Sequence, residues 1–309
     1  MRKILVIPHR AIGDIIFQLP LIKSLSEDSN LIIIASSTTK ADILLENYKN
    51  IKIYFFDFTD KKLFSKIKFF FIFKKFINTL KANEIYCLSV TSWILLPIIF
   101  SKPKKKILYN FFDSKLNRSQ FNSTKPSQIT LDFINKNKIK KNNFQLSLNE
   151  NNHKEVIKKY LQYKKPWIFF SIDSFHNAPN WNIENYKPII EEAKNYFSTI
   201  FINTLPKHHH LFEQLNINET KIVLTMNYDW RDIMSLIKES KIFIGNHSGP
   251  GHLADAMNIR SIIINNNTHK NALWSEKSSF LGNNSIYFNT WETNDNEIKN
   301  FIINEFKKD

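Results

Sequence analysis

Ile242-Phe243-Ile244-Gly245-Asn246-His247-Ser248-Gly249-Pro250-Gly251-His252-Leu253-Ala254-Asp255-Ala256-Met257 is the stretch on which the reading of this chain turns. Only five glycines occur in 309 residues, at 13, 245, 249, 251 and 282, where average usage gives roughly 20. Three of them fall within seven residues here. A backbone that concentrates a scarce glycine needs what glycine alone allows: a positive φ, or the close approach of another group. Ile242 to Ile244 reads as the end of a buried strand, and Leu253 to Met257 as the first turns of a helix. Strand, glycine-rich turn and helix N-terminus together make an anion site, because free N–H groups and the helix dipole point at the ligand. An ordinary tight βα turn has the same local spacing, so the rest of the chain must decide between the two.

Outward from this stretch, strands and helices alternate. After Pro166 the pattern predicts strand 167–172, helix 183–197, strands 199–203 and 221–224, helix 230–239, strand 241–244, a helix opening at His252, strand 261–265 and a terminal helix 294–306. The first half predicts strand 3–7, a turn at 8–14, helix 15–25, strand 31–35, a helix around 40–48, strand 51–56, helix 64–80, strand 85–88, helix 93–100 and strand 106–109. A polar, irregular stretch from Asn110 to Leu148 and a helix over 150–163 lie between them. The expected class is α/β, with two similar halves built on parallel sheets, 1–155 and 156–309.

Composition limits the partners. Net charge is +15, the isoelectric point is near 9.6 and 43% of residues are hydrophobic. Such a charge suits nucleic acid, anionic lipid headgroups or a phosphorylated substrate, although Lys, Asn, Ile and Phe are abundant everywhere and background bias supplies at least half of it. The Lys102-Pro103-Lys104-Lys105 cluster has no interleaved aromatic platform and no nucleic-acid module surrounds it, so no nucleic-acid partner is expected. Cys87 is the single cysteine, which excludes an internal disulfide and a cysteine zinc cluster and fits a reducing cytoplasm. Ile4 to Ile7 is too short for a signal peptide, and runs such as Trp93 to Phe100 fall short of the ~18 residues of a membrane span. A cytoplasmic protein, soluble or bound to a membrane surface, is the expectation. The basic, Phe-rich stretch 64–80 (FSKIKFFFIFKKFINTL) reads first as a crossover helix, and the same residues can lie on an anionic membrane. His208-His209-His210 invites a metal, but adjacent histidines on a loop face solvent, and no metal site is expected.

The first βα turn carries Gly13, followed at once by Asp14. Ligands of open α/β sheets sit at the carboxyl ends of strands, where such turns lie. Asp14 reads either as an acid favourable to a helix dipole or as a carboxylate able to take a proton from a hydroxyl nucleophile.

At this point the residues resemble a known family. Ile4-Leu5-Val6-Ile7 through Ile12-Gly13-Asp14 to Pro20-Leu21-Ile22-Lys23-Ser24-Leu25 is similar to the opening of glycosyltransferase family 9, the ADP-heptose:lipopolysaccharide heptosyltransferases and relatives. Gly245 to Ala256 is similar to the family's second signature, Gly-x-Asp-Ser/Thr-Gly-x-x-His-Leu-Ala-x-Ala, and Trp181 sits where the family has Lys-x-Trp before a helix. The resemblance implies a GT-B fold, two Rossmann-like domains facing across a cleft, with acceptor bound by 1–155 and donor by 156–309. It implies Asp14 as the general base of an inverting, metal-independent transfer from a nucleotide-sugar, ADP-heptose among the options, with no cofactor. Arg10 and Gly13 fall on the acceptor-side loop. Ser248, Gly249, Pro250, Gly251 and His252 match the loop that holds the donor diphosphate, and Asn246, His247, Ser174 and His176 are candidate donor contacts. The implied acceptor is a glycan or glycolipid such as a lipopolysaccharide core, reached by a monomer in peripheral contact with the inner face of an anionic membrane.

The chain departs from the family at His247, where an Asp is usual, at Pro179, where a phosphate-neutralising Lys is usual, and at Asp173, near a family glycine. No acid in 203–209 matches the one associated with donor binding. His176, His247 or Lys207 could supply replacement positive charge or hydrogen-bond donors. The alternatives are therefore the same fold with a non-heptose donor, or a fold that binds a nucleotide or glycan without transfer.

Overall fold

Runs such as Leu31-Ile32-Ile33-Ile34-Ala35 carry apolar side chains on both faces, which a parallel strand covered by helices on both sides buries. The computed structural model describes residues 2–7, 12–57, 63–87, 92–108, 135–136, 145–173, 180–204, 222–225, 229–266 and 284–308. In the first unit β1 (Arg2–Ile7), β2 (Ser29–Ala35), β3 (Ile51–Phe55), β4 (Glu84–Cys87) and β5 (Lys105–Leu108) form a parallel sheet of order β3-β2-β1-β4-β5. The helices are α1 (Ile12–Ser26), α2 (Ala41–Leu44), α3 (Leu63–Thr79) and α4 (Ser92–Ile99). α1 buries Ile12, Ile15, Ile16, Leu19 and Ile22, the spacing of one helical face. It begins at Ile12, so Gly13 and Asp14, expected in the turn, stand in its first turn. The helix expected around 40–48 shrinks to a 3₁₀ turn at Ser37–Thr39 and the four-residue α2, joined at Lys40 by a left-handed backbone.

The second unit runs α5 (Glu150–Lys158), β6 (Trp167–Ser171), α6 (Ile183–Ala193), β7 (Thr199–Asn203), β8 (Ile222–Leu224), α7 (Trp230–Glu239), β9 (Ile242–Asn246), α8 (Gly249–Ala256), β10 (Ser261–Asn265), β11 (Ser285–Asn289) and α9 (Asp295–Phe306). Its sheet order is β11-β10-β9-β6-β7-β8, all parallel. Numbered within the unit this is the 3-2-1-4-5-6 order of a dinucleotide-binding Rossmann sheet. β6, β9 and β10 are buried along their whole length.

The units divide as Met1–Phe144 and Gln145–Asp309, earlier than the expected 155/156. The reason is local. The Leu146 N–H donates to the Ala256 carbonyl at 2.8 Å and the Gln145 side-chain amide to the Met257 carbonyl at 3.0 Å. Further along, Lys159 pairs with Asp232 at 3.0 Å and Tyr160 donates to the same carboxylate, which ties the end of α5 to α7.

Candidate functional site

The chain builds β6, β7 and β8 in one direction and then returns to lay β9 on the other side of β6. The carboxyl ends of β6 and β9 are therefore the topological switch point, where open α/β sheets bind ligands. β1 and β4 hold the same place in the first unit, and Asp14 follows β1 there in the first turn of α1.

At the β6–β9 pair Ser171 stands opposite Gly245. A Cβ on Gly245 would lie 2.5 Å from the Ser171 carbonyl oxygen, and one on Gly251 would lie 3.3 Å from the Asn246 carbonyl oxygen. No described glycine has a positive φ. Of the two reasons that glycine scarcity suggested, close approach is the one that holds, and at Gly245 the approaching group is the neighbouring strand itself.

β9 runs two residues past the expected Ile244, and its last residue is a strut. Asn246 is buried; its Oδ1 accepts from the Trp181 N–H at 2.9 Å and the Tyr186 hydroxyl at 3.2 Å. Its Nδ2 donates to the Ile172 carbonyl at 2.6 Å. Asn246, expected among the donor contacts, thus commits its amide to joining β9, the end of β6 and the start of α6. Trp181, buried at that junction, donates its indole N–H to Asp295 at 2.8 Å.

The start of α8 differs from its neighbours. Asn149, Asn182, Asp229 and Asn294 each accept a backbone N–H with the side chain, capping α5, α6, α7 and α9. Ser248 caps α8 in an extended conformation without such a bond, and its buried Oγ has no hydrogen-bond partner among the described residues. The His252 N–H closes the first helical bond onto the Ser248 carbonyl at 3.0 Å. Ahead of it, a helix start leaves the N–H groups of Gly249 and Gly251 without an intrahelical acceptor, while Pro250 has none to offer. A buried hydroxyl and two backbone donors converge at the positive end of a dipole.

The His247 and His252 rings meet edge to face, centroids 4.7 Å apart, and Tyr287 lies 6.1 Å from His247. Burial lowers the His252 pKa to about 4. His247 is held well below the usual imidazole range, by burial first and by His252 second. Both rings are neutral near pH 7. Of the two replacements expected of His247, positive charge or hydrogen-bond donors, the neutral ring supplies no charge in the unliganded protein. Protons bind the unfolded chain more readily than the folded one below pH 6.5, so the stability these rings contribute is complete above 6.5 and falls as pH drops toward 4. For His252 alone the loss across that window is about 3 kcal/mol. Thermal unfolding followed from pH 7 to pH 5 should show a steeper fall for the wild type than for His252→Gln; equal slopes would remove His252 from the pH response.

Around this point the carboxyl edge is lined by short polar side chains, of which the sequence reading singled out Asp173 alone. Asp173, buried, accepts from Thr204 at 2.6 Å and from Asn180 at 3.2 Å. Asn266 donates to the Asn180 carbonyl at 2.7 Å, and Thr290 donates to Asn266 at 2.6 Å. These residues follow four different strands, β6, β7, β10 and β11, so only the sheet order brings them together. Burial first, and the neighbouring Asp173 carboxylate second, hold the Tyr186 hydroxyl well above its ordinary pKa. Arg10, Ser174, His176, Pro179, Lys207 and His208 to His210 lie outside the described residues, as does the Asp14 side chain.

Comparison with known proteins places these features. The family model for glycosyltransferase family 9 (heptosyltransferase) matches residues 125–294, more than half of the chain. No curated protein matches the sequence. A family 9 glycosyl transferase from Veillonella parvula DSM 2008 superposes with a TM-score of 0.73 at 13% identity, covering 99% of this chain and 95% of that one. The E. coli ADP-heptose LPS heptosyltransferase II gives 0.70 at 13%, covering 99% of each chain. E. coli heptosyltransferase WaaC with ADP gives 0.68 at 11%, covering 99% of this chain and 98% of that one. The two-unit α/β fold, GT-B in type, is the fold of these structures.

Proposed function

The chain belongs to glycosyltransferase family 9, and from that premise we propose that it moves a sugar from a nucleoside-diphosphate donor to a cell-surface glycan or glycolipid, with inversion at the anomeric carbon. The observation that carries the donor side is the buried hydroxyl of Ser248 at the start of α8, unpartnered among the described residues. A diphosphate oxygen there satisfies that hydroxyl and the N–H groups of Gly249 and Gly251, and its charge meets the helix dipole. The same contacts strengthen as the sugar–phosphate bond breaks and negative charge gathers on the leaving group. Asp14 is the proposed general base. It takes the proton of the acceptor hydroxyl as that oxygen attacks the anomeric carbon, and the nucleoside diphosphate departs with the bonding pair.

The similar structures include one named for ADP-heptose and one holding ADP, which favours an adenine nucleotide donor. A second reading keeps the reaction and changes the donor. Its support is His247, a neutral, half-buried ring where the family usually carries Asp. A thermal-shift panel of ADP, UDP, GDP and CDP separates the two readings, and no stabilisation by any of them counts against the donor loop. Ser248→Ala sharpens the test. Removing a buried hydroxyl that has no partner among the described residues should leave the unliganded protein as stable or slightly more so, while nucleotide affinity falls about ten- to a hundredfold, the worth of one lost hydrogen bond to a charged group. Unchanged affinity would rule out the hydroxyl as a phosphate ligand.

A further inference from the structure

Exposed apolar side chains are unevenly distributed over the described residues. Six of the nine large ones lie on two neighbouring helices of the first unit: Ile67 at 49%, Phe71 at 63% and Ile72 at 46% exposure on α3, with Leu96 at 40%, Ile99 at 46% and Phe100 at 59% on α4 and the residue after it. α3 buries Phe73 and Ile77 in the core and turns Ile67, Lys68, Phe71, Ile72 and Lys75 outward, a spacing that keeps them on one side of a helix. The two helices present a continuous surface. The Phe70 ring lies 5.2 Å from Phe71 and 6.0 Å from Phe100, and Asn78 of α3 accepts from the Lys102 N–H, just past α4, at 2.7 Å.

The charge on this surface has one sign. α3 carries Lys66, Lys68, Lys74 and Lys75 and no acid, and Lys102 and Lys104 follow α4. A helix that only covers a sheet has a polar outer face. Contacts between proteins are depleted in Lys at their centre, whereas here lysines are threaded among the exposed rings. Phe rings beside Lys stems with charged ends suit the boundary between acyl chains and anionic headgroups.

We propose that the α3–α4 face docks the protein on an anionic lipid bilayer, with Ile67, Phe71, Ile72, Ile99 and Phe100 entering the headgroup boundary and the lysines pairing with lipid phosphates. The proposal concerns the first unit alone and does not rest on the donor reading of α8 in the second.

The test is co-sedimentation of the full chain with vesicles of phosphatidylcholine alone, or with about 30% phosphatidylglycerol, at low and physiological salt. The expected result is partition onto the anionic vesicles at least about tenfold above the neutral ones, weakening as salt rises. Lys68→Glu with Lys75→Glu should lower that partition about 30-fold or more. Phe71→Ser with Phe100→Ser should lower it at least about tenfold through lost apolar burial. All four positions being at the surface, both pairs should keep the wild-type thermal midpoint and nucleotide response. Equal binding to neutral vesicles, or variants that bind like the wild type, overturns the proposal. So does a protein that ignores vesicles yet forms a dimer that Phe71→Ser with Phe100→Ser disperses. A normal nucleotide response in a protein that fails on vesicles leaves the donor loop standing and removes the docking face alone.

Discussion

Asp14→Asn is expected to lower sugar transfer by about 10³-fold, within the range that positioned general bases supply, while folding and nucleotide affinity stay close to wild type. The residue stands in the first turn of α1, directly after the central strand β1. An amide has the carboxylate's size and can still accept a hydrogen bond at a helix start. What it loses is the ability to take a proton, along with a favourable dipole interaction of about 0.3–1 kcal/mol. The donor loop at 248–252 belongs to the other unit, so its affinity for a nucleotide should not move. Product formation, measured beside thermal shift with and without nucleotide, separates the two roles that the sequence leaves open. Loss of transfer with an intact midpoint marks a base. A fallen midpoint with proportionate activity marks a helix acid. Full activity would mean that the proton goes elsewhere.

Asn246→Leu is expected to reduce unfolding free energy by about 4 kcal/mol, from three buried groups losing their partner at about 1–3 kcal/mol each, partly offset by apolar burial. The Trp181 N–H, the Tyr186 hydroxyl and the Ile172 carbonyl all bond to this one amide. A loss of that size is a large share of the roughly 5–15 kcal/mol that holds a domain folded. Asn246→Asp is the informative companion, because it keeps both accepted bonds and sets an oxygen against the Ile172 carbonyl. Urea unfolding curves for the two variants should both shift to lower midpoints, leucine further. A change below about 1 kcal/mol for leucine would mean that water or rearrangement satisfies the orphaned groups.

Much of this was legible in the residues. Buried strands such as Trp167–Ser171 and Ser261–Asn265 announce themselves as apolar runs, and α7 starts and stops where its pattern does. The glycine cluster located the β9–α8 turn, where the donor is proposed to bind. What sequence could not supply was the neighbour. Gly245 is required by the Ser171 carbonyl, more than seventy positions away, and that pairing exists only once β9 lies beside β6. The same applies to Asn246, which looks like a loop residue until its three partners are assembled around it. β11 went unpredicted because its outer position in the sheet leaves Ile286 exposed and Phe288 half-buried, blurring the two-residue alternation that reveals a strand.

One consequence of the switch-point geometry concerns motion. The proposed donor loop opens on a connection of only two residues, His247 and Ser248, between β9 and α8. It is pinned on both sides, by the His247 N–H to the Ile264 carbonyl at 2.9 Å and by the Ser248 carbonyl to the His252 N–H at 3.0 Å. β9 itself lies between β6 and β10, with its full length out of solvent. A binding loop is commonly among the easiest parts of a protein to open; this one is attached to what should be the hardest. Amide protons of Phe243 and His247 should therefore exchange with solvent on the timescale of global unfolding. A phosphate arriving here meets donors already in place, and little of its binding energy goes into ordering them.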